Sequence, residues 1–494
     1  MSVSHISDAV QTPTLWRLAG FIRQQQQHWQ ERETPPDFER FERELHEHVM
    51  ALERDLLTDE LKRYDVTADE ISVEGVSYRP SVESTQTYMS AAGALEVSRH
   101  LYRPSGRGSK SICPLELQAG IIAGLWTPRA ARQGAFAMAH LTPRESATLF
   151  EEIGGMAPSA STLDRLPKIL STRYEAQRDV WEDSLRASDT VPEEAAMLAV
   201  SLDGVMAPMA KSEIDAEGAM GSVAPETGEK VAGQSPAKRH YREASCGTVS
   251  LYDAQGQRLS TIRYGRMPES KKVTLCAQLE AECQSIMALR PDLKVVKLAD
   301  GAEENWRFLD HLDLGLSEVQ TAEVDSVSIT DFYHAAEHLK QACDLIWGVG
   351  SVTSRVEFAR LRELLKEDKR GVDKVISRLR YRARGRRGKN REALEQEIAY
   401  FRNQRHRMAY AAYRQAKLPI GSGVVEAACK TLVSSRLKRS GMRWTRAGGQ
   451  AILTLRSVIQ SERWHCAWSL LSNDFRKPVA IVTPNGLEVL DPAA

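Results

Sequence analysis

Two aspartates stand at the C-terminal ends of predicted hydrophobic strands: Asp203 closes AMLAVSLDG and Asp300 closes LKVVKLADG. In an α/β sheet the carboxyl ends of the strands are where ligands bind. A carboxylate there destabilises the fold unless it is exposed or coordinates something. Glu426, in PIGSGVVEAACK, is a third candidate. With Ser422 as N-cap it lies one position past the capping-box position, so local capping does not explain it. Three carboxylates suit a hard divalent cation such as Mg²⁺ or Mn²⁺, which prefers oxygen ligands. Two such ions about 3.5–4 Å apart can activate a water or hydroxyl and stabilise the leaving oxygen of a phosphodiester. Each residue also has a plain reading. Asp203 and Asp300 both precede a glycine, as turn residues do, and Glu426 could pair with Lys430 four residues on.

Other groups surround this trio. Asp331 follows a predicted strand and precedes a predicted helix, so N-capping is its simplest role. His334 and His338 form an i, i+4 pair with Cys343 close by, a weak metal pattern. A position for His334 at the active-site edge, bonded to a carboxylate or to DNA, fits better than ligation. Two basic runs follow. Residues 378–391 hold Arg378, Arg380, Arg382, Arg384, Arg386, Arg387, Lys389 and Arg391, with Tyr381 interleaved. Arg436, Lys438, Arg439, Arg443 and Arg446 flank Trp444 just after Glu426. Such runs read either as solvated faces or as phosphate contacts, which give affinity and salt dependence more than sequence choice. Trp444 is placed to stack on a freed base or to pack beneath its own helix.

The elements that must carry these residues follow from pattern. Residues 36–64 have apolar positions at three- and four-residue steps and read as a long amphipathic helix. Residues 71–103 alternate β-branched and aromatic residues between Gly and Pro, a small β-rich module. Helical patterns fill 115–185, and GGMAPSAS between two of them, with Ser159 or Ser161 opening the second, reads as a helix-turn-helix or as a plain bundle. From 196 the order is strand, hairpin, helix, strand, helix, strand, a mixed sheet with covering helices. Residues 211–240 read as a long flexible insertion. Residues 333–418 are almost wholly helical.

Composition restricts the classes. The chain has 494 residues, 42% hydrophobic and 27% charged, the balance of a globular protein with ample core. Seven irregularly spaced cysteines suit free thiols in a reducing compartment. No apolar run reaches membrane-spanning length, and the first twenty residues lack a secretory pattern; a cytoplasmic, nucleoid-associated location is the expectation. Lys+Arg and Asp+Glu are both 66, yet the charge is unevenly spread. Residues 1–70 hold 15 acids and 8 bases, and residues 351–450 hold 26 bases and 9 acids. That gradient suggests a polyanion-binding face towards the C-terminus, or pairing with the acidic N-terminal segment.

LAVSLDG, VVKLADGAEENW, DFYHAAEHL and PIGSGVVEAACKTLVSSRLKRSGMRW together resemble the bacterial insertion-sequence DDE transposases of the ISKra type, in the Mutator-like branch, over residues 70–465. The resemblance implies a ribonuclease-H-like core with Asp203, Asp300 and Glu426 as its catalytic, metal-holding triad. It matches the branch's Asp/Cys-x-x-His signature to Asp331 and His334. Where relatives carry a zinc-ribbon-like segment only Cys113 is present, so no tetrahedral zinc site can form there.

The expectation is therefore an α/β multidomain chain. Its segments are an N-terminal helical part (1–70), a β-rich, degenerate zinc-ribbon-like module (71–114) and a helical DNA-binding region (115–190). A ribonuclease-H-like mixed-sheet core follows in two parts (191–335 and 419–470), split by an all-helical insertion (336–418), and a tail closes the chain (471–494). The expected activity is DNA cleavage and strand transfer with two Mg²⁺ or Mn²⁺ ions. The expected partners are transposon terminal repeats and target DNA, with a homodimer or higher oligomer on DNA and no membrane. The alternatives are a catalytically inactive DNA-binding relative and a nuclease or resolvase of the same fold.

Overall fold

The computed structural model describes residues 13–31, 37–104, 110–214, 240–384, 386–484 and 486–490. Its strands are β1 (Ile71–Val73), β2 (Val76–Ser90), β3 (Gly93–Pro104), β4 (Ala195–Pro208), β5 (Tyr241–Asp253), β6 (Arg258–Arg266), β7 (Lys294–Ala299), β8 (Ser326–Thr330), β9 (Val479–Thr483) and β10 (Gly486–Leu490). The chain divides into two compact units, one of residues 1–176 with 465–494 and one of 177–464.

The first unit holds a sheet ordered β10-β9-β1-β2-β3. β1 is only three residues long and could not persist alone. The segment 471–494, expected as a tail, supplies its missing neighbour, with Ile71 opposite Ile481. The amphipathic helix runs Phe38–Arg63 from an Asp37 cap, within the range its pattern predicts. Helices Pro143–Ile153 and Ala160–Ala176 flank the GGMAPSAS turn, and Ser159, rather than Ser161, caps the second by accepting from the Thr162 N–H.

The second unit is built on a sheet ordered β6-β5-β4-β7-β8. β5 is antiparallel to both β4 and β6, while β7 pairs parallel with β4 and β8 parallel with β7. The hairpin between β5 and β6 forms as its sequence predicts: the Asp253 carboxylate accepts from the N–H groups of Gln255 and Gln257. β4 is central because its residues are apolar on both faces. Met197 and Ala199 pack with Val296, Leu298 and Ile329 against helices of the 332–418 region. Leu198, Val200 and Leu202 pack with Leu275, Leu279 and Met287 of the Val273–Leu289 helix on the other face. At about 1.5–3 kcal/mol for each fully buried large aliphatic side chain, this two-sided burial holds β4 firmly in the centre of the sheet. The insertion 211–240 falls mostly outside the described residues.

The 332–418 region is helical throughout, with helices Phe332–Trp347, Val352–Glu367, Gly371–Ala383, Lys389–Gln404 and Tyr410–Gln415. Leu361, Leu379, Leu394 and Phe401 bury one face of this layer against the sheet. The chain then returns through Gly423–Ala428, a π-helical turn at Cys429–Ser434, and the helix Arg446–Gln460.

Candidate active site

Parallel pairing of β4 with β7 ends at Ser201 opposite Leu298, and pairing of β7 with β8 ends at Ala299 opposite Thr330. Asp203 and Asp300 each lie two residues past the first of these pairs. Asp331 immediately follows Thr330, as Asp300 follows Ala299. Three aspartates thus stand level at one edge, on three adjacent strands. The helix bearing Glu426 closes over the same edge, because Cys429, one turn on from Glu426, places its thiol 3.8 Å from Asp203 Oδ2.

Asp203 registers the convergence electrostatically. Burial pushes its carboxyl above the usual range, and the negative charges of Asp300 and Glu426 push it the same way, against hydrogen bonds from the Gly204 N–H and the Cys429 thiol. Each carboxylate has at least one anchored oxygen. Asp203 Oδ1 accepts from Gly204 N at 2.7 Å. Asp300 Oδ1 accepts from Ala302 N at 3.0 Å and Asn305 Nδ2 at 3.1 Å. Glu426 Oε1 accepts from the Ser422 hydroxyl at 2.8 Å. Asp300 Oδ2 and Glu426 Oε2 accept no hydrogen bond from the described residues, and no ion pair joins Glu426 to Lys430.

Support for Asp300 comes from both faces. Asn305, which holds it, accepts from the buried Lys272 ammonium at 2.9 Å, and Lys272 also meets Glu243 at 3.0 Å. Lys271 and Lys272 are both left-handed, with φ of 53°, a conformation costing about 1–2 kcal/mol for each non-glycine residue. The strain places the Lys272 side chain under the Asp300 loop. From the helical layer, the edge of the Tyr400 ring abuts Gly301. A Cβ on that glycine would stand 2.3 Å from the ring. The same ring stacks on His338 at 3.7 Å, and His338 is held by Glu397 at 2.7 Å. The Tyr400 hydroxyl is buried without a partner among the described residues, and burial, then Asp300 and Asp331, drive its pKa upward. Trp306 Nε1 donates to the Asp300 carbonyl at 2.6 Å, and Arg407 lies over the Trp306 ring at 3.9 Å.

The predicted residues divide on inspection. Asp203, Asp300, Glu426 and Asp331 are brought together. His334 is half-buried beside them, its ring 4.9 Å from His338. His338 is engaged by Glu397 and Tyr400, and Cys343 is sealed in the core, so the His-x-x-x-His pair does not form a metal site with that thiol. In the basic run, Arg386 is turned inward and caps the Phe332–Trp347 helix through the carbonyls of Leu345 and Ile346. Arg378 leans on Glu357 at 3.6 Å. Arg380, Arg382, Arg384, Arg387 and Lys389 are exposed. In the second run Arg436 is only 1% exposed and lies over Trp444. It is a core cation, not a surface contact as its spacing suggests. Trp444 spends its indole N–H on the Leu437 carbonyl at 2.9 Å and packs on the Glu426 helix cluster. That is the packed alternative rather than the base-stacking one. Lys438 and Arg443 are exposed, and Arg439 is half-buried.

Among the described residues no three His, Cys, Asp or Glu side chains stand close enough to hold one metal ion as they are. A two-ion arrangement does not require that, because each ion would take few side chains, with water and phosphate supplying the remaining ligands. Hard oxygen donors with free lone pairs, one of them raised by burial and then by the charge of the other two, fit divalent cations on the chemistry of the donor set.

Sequence reasoning missed Lys272, Asn305 and Tyr400, and read Ser422 only as an N-cap, whereas its hydroxyl goes to Glu426. Asn305 had a signal, five residues after Asp300 and in the first turn of a helix. Tyr400 lies a hundred residues from Asp300, and no local pattern marks it. No family model matches this chain, nor does any curated protein. No helix of the described residues is long and apolar enough to cross a membrane.

Proposed function

We propose that the protein is a DNA transposase whose catalytic residues are Asp203, Asp300 and Glu426, acting at insertion-sequence ends on a core of ribonuclease-H-like type. The observation that carries the reading is the convergence of three carboxylates from β4, the end of β7 and a later helix, separated by 97 and 126 residues, at one sheet edge. The sheet order, three antiparallel strands followed by two parallel ones with a helical layer inserted before the glutamate, supports it.

Bound Mg²⁺ or Mn²⁺ would neutralise the scissile phosphate and activate the attacking oxygen, water first and a freed 3′-hydroxyl afterwards. Asp203, Asp300 and Glu426 would hold the ions. The protein's own residues set the geometry: Asn305 and Ala302 N–H fix one Asp300 oxygen, and Ser422 fixes one of Glu426. His334, half-exposed beside Asp331, would contact the DNA backbone or a catalytic carboxylate. The exposed cations Arg380, Arg382, Arg384, Arg387 and Lys389 would supply sequence-independent phosphate contacts. No nucleophilic side chain is needed, because the attacking group is water or DNA itself.

The test is cleavage and joining of DNA carrying the cognate terminal repeats, wild type beside Asp203→Asn and Glu426→Gln, in Mg²⁺. Excision with joining, lost in both variants, supports the proposal. Cleavage without joining would make the protein a nuclease. Binding without cleavage by the wild type would leave a regulatory DNA-binding protein.

A further inference from the structure

Asp331 is fully buried, and its contacts exceed what a helix cap requires. Its Oδ1 accepts from His334 N at 2.6 Å, the ordinary capping bond. Its Oδ2 reaches a different element and accepts from the backbone N–H of Ser422, 91 residues on. Its own N–H donates to the Ala299 carbonyl at 2.8 Å, one residue before Asp300. The next N–H, of Phe332, donates to the Ile420 carbonyl at 2.9 Å. Between them Gly421 passes so close that a Cβ there would stand 2.6 Å from the Tyr333 ring. Ser422 is itself buried, and although it occupies the N-cap of the Gly423–Ala428 helix its side chain makes no capping bond. Its hydroxyl goes to Glu426 Oε1 instead, at 2.8 Å.

A buried carboxylate with no cation partner among the described residues is expensive to keep. Here it joins two strand-end segments to the return of the chain. We infer that Ser422 is a positioning residue for Glu426, and that Asp331 holds Ser422 in place. The path runs from the Ala299–Asp300 backbone through Asp331 to Ser422 and on to the Glu426 carboxylate. It sets one oxygen of Glu426 and leaves Oε2 turned free. Such outer hydrogen bonds orient a metal-binding carboxylate, and their loss typically lowers metal affinity or activity about 10–100-fold. The inference rests on the proposed reading of Glu426 as an ion-holding residue.

The experiment uses the full chain and Mn²⁺ as probe, with binding followed by the electron paramagnetic resonance signal of the free ion. Metal-free DNA affinity and the circular dichroism melt serve as checks on the fold. Ser422→Ala should weaken Mn²⁺ binding about tenfold and raise the Mg²⁺ needed for half-maximal cleavage by a similar factor. Metal-free DNA affinity should be unchanged. Ser422→Thr, which keeps the hydroxyl, should restore both. Asp331→Asn should weaken Mn²⁺ binding in the same direction. In a Glu426→Gln background, Ser422→Ala should add nothing, since the two act as one unit. Wild-type Mn²⁺ affinity in a folded Ser422→Ala protein overturns the inference, as does an undiminished effect of Ser422→Ala beside Glu426→Gln. Wild-type Mn²⁺ affinity in Glu426→Gln alone would strike the metal-site reading, and this inference with it.

Discussion

Asp203 and Asp300 stand level across a parallel strand pair, each two residues beyond Ser201 and Leu298, the last residues of β4 and β7 that face each other in register. Register therefore brings the two carboxylates to one edge, since a parallel pair advances both chains equally. A substitution that preserves shape but removes a ligand separates chemistry from folding. Asp203→Asn and Asp300→Asn should each lower strand cleavage in Mg²⁺ by about 10³-fold or more. DNA binding should be kept or slightly tightened as the site becomes less negative towards phosphate. A gel-based cleavage assay beside a metal-free binding titration measures both, and ordinary cleavage by either variant would remove that residue from the site.

The raised carboxyl of Asp203 also makes a stability prediction. Its folded pKa lies above its unfolded value, so the folded state holds its proton over a window where the unfolded chain has lost it. Stability from this group is fully present below the ordinary carboxylate pKa and falls as pH rises through the folded value. Above that window the group thus opposes folding in the metal-free protein. Asp203→Asn should melt higher than wild type at pH 7, and the gap should narrow towards pH 3. Added Mg²⁺ should raise the wild-type melting temperature and leave the variant nearly unmoved. Melts at three pH values, with and without Mg²⁺, decide it.

Tyr400 and Gly301 offer a test of the helical layer. The ring occupies the space a Gly301 side chain would need, so Gly301→Ala should displace the ring and disturb the Asp300 loop beside it. Loss of stability of about 1–3 kcal/mol is the scale for such overpacking. Combining it with Tyr400→Ala should recover much of that loss, a coupling read from a double-mutant cycle of denaturation midpoints. Tyr400→Phe removes only a buried, unpartnered hydroxyl and should leave stability equal or higher. Additive effects of the Gly301 and Tyr400 changes would mean that the ring is free to move aside.

The strand-end aspartates were legible because hydrophobic strand patterns end at Asp-Gly twice in fold order, although each aspartate alone reads equally well as a turn residue. The β5–β6 hairpin was legible because its turn chemistry is local. What hid from the sequence was direction. Arg386 and Arg436 share the charge runs of exposed neighbours. One turns inward to cap the Phe332–Trp347 helix and the other sits over Trp444. Residue type does not report which side of a helix the tertiary fold will cover. The segment 471–494 gave the same difficulty: β9 is stabilised by a three-residue strand four hundred positions earlier, and long-range pairing leaves no local trace. The helical region expected over 115–190 likewise continues across the division between the units at residue 176, because helical periodicity carries no domain boundary.

The basic stretch 378–391 can now be divided into two kinds of arginine with opposite expected phenotypes. Arg380, Arg382, Arg384 and Arg387 are exposed. Arg382 and Arg384 keep contacts no stronger than cation–π with Trp347 and Tyr381, at 5.7 and 5.9 Å. If they meet phosphates, each releases condensed counterions, and log affinity falls with log salt by about 0.9 for each contact on duplex DNA. Changing all four to Ala should weaken binding to any sequence about equally, flatten the salt slope by up to roughly 3–4 units, and scarcely move the melt. Arg386→Ala should do the reverse. It leaves the carbonyls of Leu345 and Ile346 without their donor, which should destabilise the protein by about 1–3 kcal/mol while changing the salt slope little. Binding isotherms from low to moderate salt, with a denaturation curve for each variant, distinguish the two. A salt slope unchanged in the quadruple variant would make this run a solvated face and move the DNA path to Lys438 and Arg443.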